Sequence, residues 1–272
     1  MIKIEQEKCI GCTLCTKDCP VSDIEMKEDL KAHPKNERCF NCGHCIAICP
    51  VAAIESLDYD MSEVVPFEPE AFTLNSENLM NAIKFRRSTR QFKSAPVEKE
   101  KLEKIIEAGR YTQTATNSQN VSYIVVTDKL DELKEAVFES LNVMGTHMIN
   151  DPNTDPNLLK YAHMWVHMYN AHKENPKVDS VFFNAPAAIL TVSSHVVNAT
   201  LASSNMELMT NALGLGTFFS GFMTLASERT PIIKQVLGLK ETDNIVTCMV
   251  IGYPSIKYKR TAPRKKAEVI WL

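Results

Sequence analysis

The spacing of apolar and polar positions changes character twice along this chain. Residues 3–57 read as two half-repeats, each a short loop followed by a short helical run. Val21-Ser22-Asp23-Ile24 and Val51-Ala52-Ala53-Ile54 fall in equivalent places, so the half-repeat is longer than its loops. Between the halves, Glu28-Asp29-Leu30-Lys31-Ala32-His33-Pro34 is polar and predicts a hairpin or loop. From 57 to 76 no period persists. Val64-Val65-Pro66-Phe67-Glu68-Pro69-Glu70, with two prolines, reads as an extended linker whose apolar residues should pack on something. Beyond it helical and strand periods mix. Helices are expected over 78–85, 97–109 (with Gly109 as a C-terminal stop), 130–141, 157–173 and 198–213. A further one should start at Thr230-Pro231, and strands are expected over 122–127, 187–193 and 245–252. The helix over 198–213 is rich in small residues and apolar on most sides, which suits a buried or interface position. Helix and strand are thus mixed in the second half, and the chain divides into 1–57, a linker 58–76 and 77–272.

Cysteine spacing gives the first half its chemistry. Cys9-x-x-Cys12-x-x-Cys15-x-x-x-Cys19-Pro20 is repeated as Cys39-x-x-Cys42-x-x-Cys45-x-x-x-Cys49-Pro50. Two-residue gaps let a tight loop turn three thiolates onto one iron–sulfur cube, while the fourth, one helical turn on, reaches the other cube. Cluster I therefore takes Cys9, Cys12, Cys15 and Cys49, and cluster II takes Cys39, Cys42, Cys45 and Cys19. Gly11 and Gly43 allow close backbone approach, and Pro20 and Pro50 fix the exits. A zinc site needs only four cysteines, commonly as two separated pairs, and a disulfide framework suits a small secreted domain. Residues 1–57 resemble a bacterial two-cluster ferredoxin, which implies two 4Fe–4S clusters.

Composition narrows the setting. The 272 residues, 44% apolar and 23% charged, suit a small domain plus one of ordinary size. A formal charge of −3 argues against nucleic acid as a partner, and no apolar run approaches a membrane span. The N-terminus carries no hydrophobic signal core, and eight of the nine cysteines precede residue 50, so a reducing cytoplasm is expected. Exposed clusters are oxygen-sensitive, which points to an anaerobic or microaerobic host.

A second site is suggested by Phe85-Arg86-Arg87-Ser88-Thr89-Arg90-Gln91-Phe92, where guanidiniums and hydroxyls crowd the end of a helix. This density suits a phosphate and an electron-rich ring edge, although such clusters also simply close helices. Thr114-Ala115-Thr116-Asn117-Ser118-Gln119-Asn120 adds amides able to bond donors and acceptors alike. Leu213-Gly214-Leu215-Gly216-Thr217-Phe218-Phe219-Ser220-Gly221 adds glycines where a flat ring could approach, without being a dinucleotide fingerprint. Lys257-x-Lys259-Arg260-x-x-x-Arg264-Lys265-Lys266 would finish a phosphate site or form a solvated tail. His163 and His167, at helical spacing and followed by His172, read as lining or surface residues, Cys248 as a small core residue.

In this order the four pieces resemble the nitroreductase family of FMN-dependent oxidoreductases, over about residues 77–272. The resemblance implies an α+β fold and an intertwined homodimer with FMN at the subunit interface, the apolar Val269-Ile270-Trp271-Leu272 wrapping onto the partner. It implies that Arg86, Ser88 and Arg260, with Lys259 or Arg264 assisting, hold the FMN phosphate. By the same resemblance Arg87 would contribute mainly backbone, and Arg90 would sit at the N1/O2 edge of the ring. Asn117 and Gln119 would bind the pyrimidine edge or ribityl chain, and Ser220 and Gly221 would offer backbone N–H near N5. Where many family members carry Pro-x-Glu-Gly, this chain has Phe219-Ser220-Gly221, a departure that bears on NAD(P)H use and substrate preference.

Joined, the halves predict an enzyme in which clusters pass single electrons from a redox-protein donor to FMN, which reduces a small organic acceptor such as a nitroaromatic, quinone or enone. Two alternatives are an electron-transfer or redox-sensing module serving a protein partner, and an NAD(P)H-dependent nitroreductase.

Overall fold

The computed structural model describes all 272 residues, which divide into two compact units. One is Met1–Leu74 with Gln113–Gln119; the other is Asn75–Thr112 with Asn120–Leu272.

In the first unit, strands β1 (Ile2–Ile4) and β4 (Ile54–Ser56) pair antiparallel, as do β2 (Ile24–Met26) and β3 (Ala32–Pro34). The polar stretch between the half-repeats is the β2–β3 hairpin. Helices α1 (Leu14–Asp18) and α2 (His44–Ile48) follow the two cysteine loops. Alternation along β1 buries Ile2 and Ile4, which join Ile24, Ala32 and Ile54 around Cys15 and Cys45. So small an apolar core leaves the cysteine sites at the centre of the unit. The linker holds a 3-10 turn (Met61–Glu63) and α3 (Pro69–Phe72); of its apolar residues Phe67 meets Phe72, ring centroids 5.6 Å apart, while both rings and Val65 stay exposed.

The second unit is built on a four-stranded antiparallel sheet in the order β5 (Ser122–Val126), β6 (Ala187–Val192), β8 (Ile245–Gly252), β7 (Gly216–Phe219). Its central strands are apolar on both faces because both faces are covered. Ala188, Leu190, Cys248 and Val250 point to one side and meet α6 (Leu130–Asn150), α7 (Pro156–Glu174), α9 (Gly221–Arg229) and α10 (Ile232–Val236). Ala187, Ile189, Met249 and Ile251 point to the other and meet α5 (Lys99–Arg110) and α8 (Val196–Ala212). Helix α4 (Ser76–Phe85) opens the unit, its N-cap Asn75 accepting from the N–H of Asn78 at 2.9 Å. No helix is long and apolar enough to cross a membrane.

Three local expectations change. Gly109 is not a stop but an interior residue of α5, where a Cβ would lie 2.9 Å from Met206 and Tyr123; it lets α5 approach α8. The glycines at 214 and 216 belong to the frame. Gly214, at φ +73°, ends α8, and Gly216 starts β7 against Thr89, whose Oγ1 would lie 2.6 Å from an added Cβ. Helix α10 begins after Pro231, itself the N-cap.

Candidate functional site

Each cysteine loop needs two left-handed residues to fold its thiols inward. In loop I these are Gly11 (φ 68°) and Thr13 (φ 64°); in loop II they are Asn41 (φ 54°) and Gly43 (φ 77°). The result is two cavities. Cys9, Cys12, Cys15 and Cys49 line one, walled by Ile4 and Ile54; Cys19, Cys39, Cys42 and Cys45 line the other, beside Ile2 and Asp23. The structure thus brings together two sets of four thiols, each mixing three from one half and one from the other. Matching hydrogen bonds reach the crossing cysteines: the N–H of Asp23 donates to Cys19 Sγ, and that of Ala53 to Cys49 Sγ, each at 3.3 Å. Donors aimed at sulfur favour the thiolate. Against this, burial raises the Cys15 thiol, helped by Cys12 and Cys9, and burial pushes Cys45 up to about 11, helped by Cys42, Cys39 and Cys19. Four soft donors converging in an apolar, partly enclosed site suit iron–sulfur clusters, whose positive irons offset the cost of crowding thiolates.

In the second unit, the segment after α4 lies along β7. Ser88 bridges to Thr217, and the N–H of Thr89 donates to Thr217 O at 2.9 Å. This pairing sets Arg86, Ser88 and Arg90 beside the β7–α9 junction. Arg86 pairs through Nη1 with Glu207 of α8, and its buried Nε has no partner. Arg87 folds back to cap α4, donating from Nη1 to Lys84 O at 3.0 Å and Arg86 O at 2.6 Å, with Nη2 buried and unpartnered. Each of these two arginines thus keeps one buried N–H donor without an acceptor. Arg90 stands over Phe218 and Phe183, 5.1 and 5.9 Å from their centroids, the rings meeting edge to face. The loop carrying Phe183 is tied down by buried Asp179, which accepts from the N–H groups of Val181, Phe182 and Asn184, with Lys134 Nζ 3.5 Å away.

Ser220 is buried: its N–H donates to Cys248 O at 2.8 Å and its hydroxyl to Val181 O at 2.9 Å. Of the two amides expected near a ring, Ser220's is therefore spent on the sheet. Gly221 is the first residue of α9, whose N–H helix geometry leaves without an intrahelical acceptor. A cavity of about 280 Å3 opens here, lined by Ser220, Gly221, Ser203, Thr247 and Glu207 among others.

Asn117 and Gln119 are placed in the first unit, bonded to Phe40 O, Asn41 O and the Tyr59 hydroxyl. Lys259 and Arg260 lie in the exposed, irregular tail after β8. His163 and His167 are exposed on α7; His172 is buried, stacked on Phe138 and bonded to Glu135. Glu207, Phe183 and Asp179 went unread in the sequence. Only Glu207 left a trace, as the one charge in an otherwise neutral helix.

Residues 83–253 match the model of the Nitroreductase family, and residues 2–57 match that of a 4Fe-4S dicluster domain. An NADPH-dependent oxidoreductase of Staphylococcus aureus (strain USA300) is 24% identical over 183 residues, which span 66% of this chain and 66% of that protein, just short of two thirds of its length. Among solved structures, a nitroreductase with bound FMN from Bacteroides fragilis superposes with a TM-score of 0.55 at 17% identity, covering 72% of this chain and 100% of that one. One with bound FMN from Desulfitobacterium hafniense gives 0.52 at 20% identity, with coverage of 72% and 100%. At these identities the likeness is one of fold.

Proposed function

The chain belongs to the nitroreductase family, and we propose that it is an iron–sulfur flavoprotein oxidoreductase that takes electrons singly from a redox-protein donor and reduces a small organic acceptor. The observation that carries this is the separation of eight cysteines into two four-thiol cavities within a chain of that family. Bound clusters carry single electrons and FMN exchanges one or two, so together they turn one-electron supply into two-electron reduction.

The protein's own part is to hold and polarise. Arg86, kept by Glu207 through Nη1, presents its free Nε to a phosphate, and Ser88 and Arg87 Nη2 stand close in sequence to share that load. Lys259 and Arg260, on the tail, are proposed to close the phosphate site. Arg90, fixed by Phe183 and Phe218, supplies positive charge to the ring's pyrimidine edge, and Gly221 N–H supplies a donor at the opposite side. Asn117 and Gln119, proposed from the resemblance as ring contacts, have other partners within the chain.

We propose a homodimer, because α4 and α8 leave Ile83, Phe85, Val197 and Leu201 exposed beside this site. A reducing compartment, the cytoplasm, suits nine free cysteines.

The test is anaerobic reconstitution followed by reduction with dithionite. We expect iron and sulfide for two clusters, FMN released on denaturation, and reoxidation by nitroaromatics or quinones faster than that of free FMN. No FMN release would sink the reading; reoxidation no faster than free FMN would leave an electron relay to a protein partner. A second reading, NADPH as direct reductant, is favoured by the description of the S. aureus relative. It predicts flavin bleaching by NADPH and unchanged turnover after Cys12→Ala and Cys42→Ala.

A further inference from the structure

We infer that Asn117 is a positioning residue for the loop carrying Cys39 and Cys42, and that it sets the reduction potential of the cluster held there. The inference rests on the iron–sulfur reading above. In sequence Asn117 lies within the stretch that matches the nitroreductase family, yet Gln113–Gln119 folds with the N-terminal unit. The segment is a tight, strained turn. Thr116, Asn117 and Gln119 all have left-handed backbones (φ 51°, 51° and 47°), a conformation that threonine and glutamine hold only where surroundings enforce it. The turn is closed by Asn117 N–H to Thr114 O at 3.0 Å and Gln119 N–H to Thr114 Oγ1 at 2.9 Å, and moored by Gln119 Nε2 to the Tyr59 hydroxyl at 2.6 Å.

What the turn presents is one carboxamide. Asn117 Nδ2 donates to Phe40 O at 3.1 Å and to Asn41 O at 2.8 Å, so both its hydrogens are committed. These carbonyls lie between the ligands Cys39 and Cys42. A trans peptide is planar, with C=O and N–H pointing opposite ways. Holding Phe40 O and Asn41 O toward Asn117 therefore turns the N–H groups of Asn41 and Cys42 away from it, on the side where these residues line the thiol cavity. Donors aimed at cluster sulfur raise the potential. The rest of the loop has its own ties. Asp23 Oδ1 accepts from Glu37 N–H at 3.2 Å and Arg38 N–H at 3.0 Å, and Asn41 Nδ2 donates to Asp58 at 2.9 Å. Asn117 adds the orientation of the two amides between the ligands. In loop I those positions belong to Ile10 and Gly11, so the effect falls on one cluster of the two.

The test is an anaerobic EPR-monitored redox titration of the full-length, reconstituted protein, with Cys42→Ser used to assign cluster II. In Asn117→Ala we expect cluster II to become harder to reduce, by about tenfold in its equilibrium or about 59 mV for one electron, or to lose iron selectively, while cluster I keeps its potential and spectrum. Asn117→Gln, which retains the amide, should recover part of the shift. Gln119→Ala, which removes the mooring to Tyr59 but keeps the carboxamide of Asn117, should shift cluster II less than Asn117→Ala does and leave cluster I unmoved. Unchanged spectra and potentials in a fully loaded Asn117→Ala protein overturn the inference, as does an equal shift of both clusters or loss of FMN affinity alone. Absence of any iron–sulfur signal in the unmodified protein would instead defeat the underlying reading.

Discussion

A Cβ at Gly11 would lie 2.2 Å from Leu30 O, whereas one at Gly43 would meet nothing within 4 Å. Both backbones are left-handed, so either alanine bears a conformational cost of about 1–2 kcal/mol. Only Gly11→Ala also forces the hairpin away. We expect it to lose about half the iron on reconstitution while Gly43→Ala stays loaded, as iron assay would show. The thiols respond to pH in a defined direction. Cys45 is raised from 9.0 to about 11, chiefly by burial, so between these values the folded, cluster-free protein holds more protons than the unfolded chain. Its stability should be intact below pH 9 and fall as pH rises toward 11. Iron occupies the thiolates in the loaded protein and removes that dependence. Anaerobic melting of both forms at pH 8 and pH 10.5 would reveal the difference.

Elements were legible where one period ran long enough. The helix over 157–173 and the strands 187–193 and 245–252 appear within a residue or so of their expected limits. Helix α6 extends to Asn150, past the apolar stripe that marked its first half. Strand β7 was masked by its flanking glycines, which read as ligand approach and instead serve a helix end and the contact with Thr89. The doubled cysteine spacing conveyed both thiol sets, because ligand spacing is local. The pairing of Arg86 with Glu207, 121 residues away, and the stacking of Arg90 on Phe183 and Phe218 come from folding alone and leave no periodic trace. The loop bearing Phe183 depends on Asp179. Asp179→Ala would orphan the buried N–H groups of Val181 and Phe182, at about 1–3 kcal/mol for each one left unsatisfied, and free the part-exposed N–H of Asn184. We expect a fall in stability of about 3 kcal/mol by denaturant titration and weaker FMN retention, since Phe183 would no longer brace Arg90.

At the scale of the molecule, apolar surface is left over in a consistent way. Val197 and Leu201 on α8, Ile83 and Phe85 on α4, and Ile270 and Trp271 in the tail are all exposed in a single chain. Such a quantity of large apolar surface is characteristic of an interface. A dimer is the expected mass in sedimentation, and removal of 261–272 should shift it toward monomer and lower FMN occupancy together. Dimerisation unchanged by that truncation would assign the contact to α4 and α8 alone.

The two cysteine loops keep the same pair of left-handed positions, yet glycine fills the first in one loop and the second in the other. Each loop can therefore be relaxed at a place where its twin is already relaxed: Thr13→Gly in the first, Asn41→Gly in the second. A duplicated plan that has drifted in this way carries two independent adjustment points on one backbone. Substitution can retune either electron carrier without redrawing the other, a freedom that an exact internal copy would lack.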